Sequence, residues 1–140
     1  MNWVISAVSD YQPCLDLRRA VFIEEQGINE AEEWDDLDDQ AVHLLATIDG
    51  VPAGTVRLLT KGTTGKITRV CVAKSGRGTG LGAALIRASV DHFKGDDRVT
   101  RCELGAQEHA LGFYGKLGFA PYGPTYDDAG IPHRNMELSL

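Results

Sequence analysis

Apolar positions along the chain change period partway through. The run at residues 3–8 reads as a short first strand, and at 13–26 Leu15, Leu17, Ala20, Val21 and Phe22 recur near helical spacing until Gly27 marks an end. Residues 29–40 are polar and acidic, a loop or short helix. Residues 42–49 form a strand, Asp49-Gly50 a turn signal, and 53–59 the returning strand of a hairpin; after a glycine turn at 62–65, residues 66–72 make a third sheet strand. Thereafter strands alternate with helices. Residues 80–93 place Leu81, Leu85, Ile86, Ala88 and Phe93 near one side of a helix, 100–105 are a strand, and 107–117 carry Ala110, Phe113, Tyr114 and Leu117 at helical spacing. Short strands at 122–126 and 134–138 close the chain. Hairpin strands followed by strand–helix units predict an α+β domain with a mixed sheet.

The length of 140 residues suits one domain over 1–140, and an apolar fraction of 43% is enough for a core. No basic and apolar leader opens the sequence, and no run approaches the roughly 18 apolar residues of a membrane helix. Cys14, Cys71 and Cys102 are odd in number and widely spaced, which points to reduced thiols in a cytoplasmic protein and to no metal site. The net charge of −6 is concentrated: seven acids lie between Glu30 and Asp39, with no Lys or Arg among them. A nucleic-acid binder would carry a basic stripe instead, so nucleic acid and membrane are both set aside as partners.

Chemistry concentrates at residues 70–83, where an apolar strand runs through Val70, Cys71 and Val72 into a turn whose Gly78, Gly80 and Gly82 alternate into a helix start. Glycines there let backbone approach a ligand, and first-turn N–H groups with the helix dipole make an anion site suited to a pyrophosphate. Arg77 adds a charged donor at the rim. Leu81-Gly82-Ala83 lacks the Lys-Ser/Thr of a Walker loop. Gly78-x-Gly80-x-x-Ala83 fits a dinucleotide fingerprint, but Ala73 to Arg77 separate it from its strand, and too little chain follows for two nucleotide-binding halves.

Arg77-Gly78-Thr79-Gly80-Leu81-Gly82 resembles the R/Q-x-x-G-x-G/A signature of the GNAT acetyltransferase superfamily. Gln107-x-x-Ala110-x-x-x-Tyr114, followed by Leu117-Gly118-Phe119, resembles its second block, which more often begins with Asn. Leu17-Arg18-x-x-Val21-Phe22-x-x-Glu25-Gln26, Asp38-x-x-Ala41-x-His43-Leu44 and Ala129-Gly130-Ile131-Pro132-His133 are similar to the ElaA-like and YjcF-like branch, so the resemblance covers nearly the whole chain. It implies a GNAT fold, a mostly antiparallel mixed sheet between helices in three layers. It also implies acetyl-CoA as cosubstrate and transfer to an amine of a small molecule or peptide, with a homodimer left open. By the same resemblance, backbone groups of Val70, Cys71 and Val72 hold the pantetheine and thioester, and the turn from Arg77 to Gly82 holds the pyrophosphate. Gln107 touches the pantetheine, and Tyr114 protonates the departing thiolate.

No general base stands out: Thr68 and Arg69 occupy the region where many relatives carry a Glu, leaving Glu25, Glu103, His43 and His133 as candidates. Cys71 could form an acyl-enzyme, although a small apolar residue in a central strand is the simpler reading. Two other classes fit parts of the chain: a non-catalytic coenzyme A-binding module, and an acyl-homoserine-lactone synthase-like acyltransferase, which the N-terminal part resembles. The acids at 30–39 either attract a cationic acceptor or brace the fold by pairing with Arg18, Arg57 or Arg69.

Overall fold

The computed structural model describes residues 2–140. Seven strands make one sheet: β1 (Trp3–Val8), β2 (Val42–Ile48), β3 (Val51–Lys61), β4 (Thr64–Val72), β5 (Arg101–Gln107), β6 (Ala120–Asp128) and β7 (Ile131–Ser139), in the order β1-β2-β3-β4-β5-β7-β6. All neighbours are antiparallel except β4 and β5. Hence the sheet is mixed and mostly antiparallel. Asp49 and Gly50 both have positive φ, the backbone that a two-residue hairpin turn needs, and Ala129-Gly130 repeats it between β6 and β7.

Helices cover both faces. On one side lies α1 (Gln12–Arg18), which continues with wider, π-type winding through Arg19–Glu25, and the single turn α2 (Glu30–Glu33). Leu17, Val21 and Phe22 pack there with Cys71 of β4. On the other side are α3 (Leu81–Lys94) and α4 (Leu111–Lys116). Leu81, Leu85, Ile86 and Phe93 of α3 join Val56, Leu58, Ile67, Leu104 and Met136 from four strands in the main core. Phe93 presses on β4 so closely that a Cβ on Gly65 would lie 2.5 Å from its ring.

Two boundaries differ from the sequence reading. Gln107 ends β5, paired with His133 of β7, and a turn at Glu108–Ala110 precedes a helix of only six residues. The strand pairing outweighs the helical spacing of Ala110, Tyr114 and Leu117, and Gly112 and Gly115 weaken the helix further. The last two strands are nine residues each, much longer than expected, because they pair with each other from Ala120–Glu137 to Tyr122–Asn135 and again from Tyr126–His133 to Asp128–Ile131, across a register shift.

Candidate active site

Two features of β4 build the site. Register between β3 and β4 slips by one residue: Arg57 faces Thr68 and Thr55 faces Cys71, so Arg69 and Val70 stand against Val56 alone. This is a β-bulge, and Arg69 adopts φ 52°, a left-handed backbone that costs a non-glycine residue about 1 kcal/mol or more. Bulges bend and overtwist a strand. Just before this one, the ladder to β5 stops: β4 and β5 pair only from Thr64–Arg101 to Lys66–Glu103. Beyond that point the strands part and enclose a cleft of about 440 Å³, lined by Thr68 and Val70 on one side and Leu104, Gly105 and Gln107 on the other.

The backbone at this fork has a definite polarity. Ala73 N–H donates to Ala53 O on β3, so by alternation Cys71 also turns its backbone toward β3, while Val72 turns toward the open edge. Val72 O accepts from Arg77 Nε there and retains a second lone pair. Of the three residues expected to hold pantetheine, Val70 lies in the bulge and lines the cleft, and Val72 offers backbone groups at the open edge. The Cys71 backbone is spent on β3. Its side chain is buried against α1, and burial pushes the thiol up to about 12, which removes the acyl-enzyme reading because almost no thiolate exists near neutrality.

The glycine turn leads directly into α3. Gly80 is its N-cap, at φ 88° where side chains are strained, and Gly78 also has positive φ. Thr79 Oγ1 donates to Gly76 O and accepts from Leu81 N–H, which fixes the turn. The amides of Gly82 and Ala83, in the first helical turn, have no acceptor among the described residues, leaving an anion-binding end on a fourteen-residue helix. A Cβ on Gly82 would touch Phe113 of α4 at 3.4 Å. Arg77 does not stand free at the rim as expected. Its Nη1 and Nη2 grip Glu25 at 2.6 and 2.7 Å, tying the end of the α1 extension to the turn. That hydrogen-bonded cation holds the Glu25 carboxyl below its ordinary range.

Tyr114 lines the same cleft. It is 9% exposed, its hydroxyl bonds to no protein group among the described residues, and burial pushes its pKa up to about 12. It therefore carries its proton throughout the neutral range. Gln107 lines the cleft too, but its amide is engaged: Nε2 donates to Gln26 Oε1 at 3.1 Å, and Oε1 accepts from His109 Nε2 at 2.7 Å.

The wall opposite α2 comes from the hairpin of β6 and β7, which the sequence reading singled out only through its Ala129–His133 segment. Tyr126 lies over Gly105, where any Cβ would strike its hydroxyl, and donates to Asn135 Oδ1 at 2.8 Å. Its ring stacks on His133 at 5.9 Å between centroids. His133 Nδ1 is 2.8 Å from Ile131 O. The shelf joins Tyr126 of β6 and His133 of β7 over Gly105 of β5, so it has no signal in any one strand alone.

Most of the acid cluster is structural. Arg18, 1% exposed, bonds Glu33 and Asp38 at 2.8 Å each; Arg57, 3% exposed, bonds Asp35 at 2.7 Å and Asp38 at 3.0 Å; Arg69 meets Glu33 at 3.1 Å and Asp35 at 3.5 Å. Burial pushes the Asp38 carboxyl up, but hydrogen bonds and charges from both arginines outweigh it and hold it below the usual carboxylate range. Asp39 accepts from Tyr11, whose ring stacks on the buried His43. Glu32 and Glu33 reach the cleft.

A split sheet with a bulged strand feeding a glycine turn defines a class, and sequence comparison agrees: residues 12–140 match the acetyltransferase (GNAT) domain family. The chain belongs to that family. Within it, the chain falls in the branch of YjcF and ElaA. It is 34% identical to the uncharacterised N-acetyltransferase YjcF of Bacillus subtilis, over 86% of each chain. It is 32% identical to ElaA of Escherichia coli, over 93% of this chain and 88% of that one. The crystal structure of an acyl-CoA N-acyltransferase from Pseudomonas aeruginosa superimposes with a TM-score of 0.85 at 30% identity, covering 97% of both chains.

Proposed function

We propose that residues 1–140 form one catalytic domain, an acetyl-CoA-dependent N-acetyltransferase that passes the acetyl group directly to an amine of a small molecule or peptide. The observation that carries this reading is the fork itself: Val70 and the protonated Tyr114 line the cleft where β4 and β5 part, and β4 runs on past its open backbone edge at Val72 into the glycine turn. Pantetheine would lie along the edge of β4, using Val70 and Val72, and its pyrophosphate would meet the amides at the start of α3. The amine would enter from the side of α2 and the Tyr126 shelf and attack the thioester carbonyl, and Tyr114 would supply the proton that lets the thiolate leave.

A thermal-shift titration tests coenzyme binding. At about 100 times its dissociation constant, acetyl-CoA adds roughly 2.7 kcal/mol to stability. Gly80→Glu should abolish that shift by putting a charged side chain in the pyrophosphate's place. An amine panel, followed by free-thiol release without S-adenosylmethionine, separates acetyl transfer from a lactone synthase or a purely binding module. No shift with millimolar acetyl-CoA or CoA sinks the coenzyme reading, and a shift without turnover on any amine sinks the catalytic one.

A further inference from the structure

Resting on that reading, we propose that His133 is the general base that takes a proton from the acceptor's ammonium group. Of the four side chains the sequence offers, three are committed elsewhere. Both Glu25 oxygens are gripped by Arg77. His43 is 2% exposed beneath Tyr11 and bonds through Nε2 to Asp38 O, away from the cleft. Glu103 lines the cleft but accepts from Arg101 at 2.6 Å, with Lys66 at 3.8 Å. Burial pushes its carboxyl up, yet Tyr122, Lys66 and Arg101 outweigh that and keep it below the usual range, which makes it a weak base.

His133 is different in kind. A carbonyl oxygen can only accept, so the 2.8 Å contact to Ile131 O puts the ring's proton on Nδ1 and leaves the lone pair on Nε2, at the opposite edge. The stacked Tyr126, itself fixed by Asn135, restrains the plane of the ring. A base thus oriented by a second group is the arrangement that proton abstraction needs.

The charged groups sharing the cleft with the ring are Glu32 and Glu33 from α2, Lys66 and Arg69 from β4, Glu103 from β5 and Asp128 from β6, with Tyr114 and Tyr126 as neutral phenols. His109 borders it through Gln107. Glu33 and Glu103 are matched by arginines, whereas Glu32 and Asp128 have no cationic partner among the described residues. That residual negative charge favours an acceptor arriving as an ammonium ion. Nε2 then takes one proton from nitrogen, the free amine attacks, and the C–N bond forms as the C–S bond breaks. Sulfur receives its proton from Tyr114, which is restored by the second proton that nitrogen sheds. The proton on His133 passes to solvent.

The test uses the alkylamine turned over best by the wild-type enzyme, with kcat measured from about pH 6.5 to 10. His133→Gln should lower kcat at neutral pH by about 10²–10⁴-fold and keep the acetyl-CoA thermal shift. The deficit should shrink as pH rises toward the amine's own pKa, because free amine then needs no base. His133→Asn, which keeps a donor near the Nδ1 position but lacks Nε2, should behave alike. A deficit constant with pH, or an Asn variant as active as wild type, overturns the assignment. Wild-type enzyme that binds acetyl-CoA but acetylates no amine overturns the functional reading instead, and the base with it.

Discussion

Asp38→Asn probes whether the acid cluster braces the fold. Asp38 is the shared carboxylate between Arg18 and Arg57, two almost fully buried guanidiniums, at 2.8 and 3.0 Å. Breaking a buried pair by removing one partner costs about 3–5 kcal/mol. Arg18 retains Glu33 and Arg57 retains Asp35, so the low end applies, about 3 kcal/mol. For 140 residues the unfolding entropy at Tm is about 0.3 kcal/mol/K, which converts that loss to roughly a 10 °C fall in Tm. Asp36→Asn, exposed and without a partner among the described residues, should shift stability by no more than about 0.5 kcal/mol. The sign with pH follows from the depressed Asp38 pKa. Its contribution is present above the unfolded value, about 3.9, and is lost as pH falls through the folded one. The gap between wild type and Asp38→Asn should therefore narrow as pH falls below about 4. Calorimetry at pH 7 and pH 3 decides it. A variant melting within about 2 °C of wild type at pH 7, with a raised KM for cationic amines, would refute bracing and return Asp38 to substrate recruitment.

Tyr114→Phe should cut turnover by about 10²–10⁴-fold while leaving the acetyl-CoA thermal shift intact, since the hydroxyl has no partner to orphan among the described residues; wild-type turnover in a chemistry-limited assay would leave Tyr114 a packing residue. Gly105→Ala should displace Tyr126 from Asn135 and raise KM for the amine without touching coenzyme binding. Unchanged kinetics there would mean that the shelf does not border the acceptor.

Local signals carried much of this architecture. Asp49-Gly50 fixed the first hairpin because its turn needs positive φ twice, and α3 announced itself through an apolar stripe that ends in the main core. Arg77 was legible as a charge beside a glycine turn, but its capture by Glu25, fifty-two residues away, depends on where α1 lies over the sheet. Gln107 reads as helical because Ala110, Tyr114 and Leu117 do, whereas its pairing with His133 is a long-range fact. Arg18, Arg57 and Arg69 were legible as partners of the acids in one of two alternatives, but they lie on three different elements, α1, β3 and β4, so only the packed fold shows which acid each one meets. Nothing in Thr68-Arg69-Val70 distinguishes a bulge from an ordinary strand.

That bulge is recorded in the length of the chain, not in the identity of any residue. Ile67 packs with the α3 core, Cys71 with the α1 core, and Val70 and Val72 with the α3 core again. Remove position 69 and the alternation from Ile67 through Thr68 to Val70 becomes unbroken, with every side chain still on its present face. The ladder would then run Arg57–Thr68, Val56–Val70, Thr55–Cys71 without a slip. Both cores are thus indifferent to the insertion, and substitutions of the β4 residues that pack in them would pass over it. A one-residue deletion, silent in hydrophobic content, is the mutation that straightens the strand and takes away the bend beside the fork.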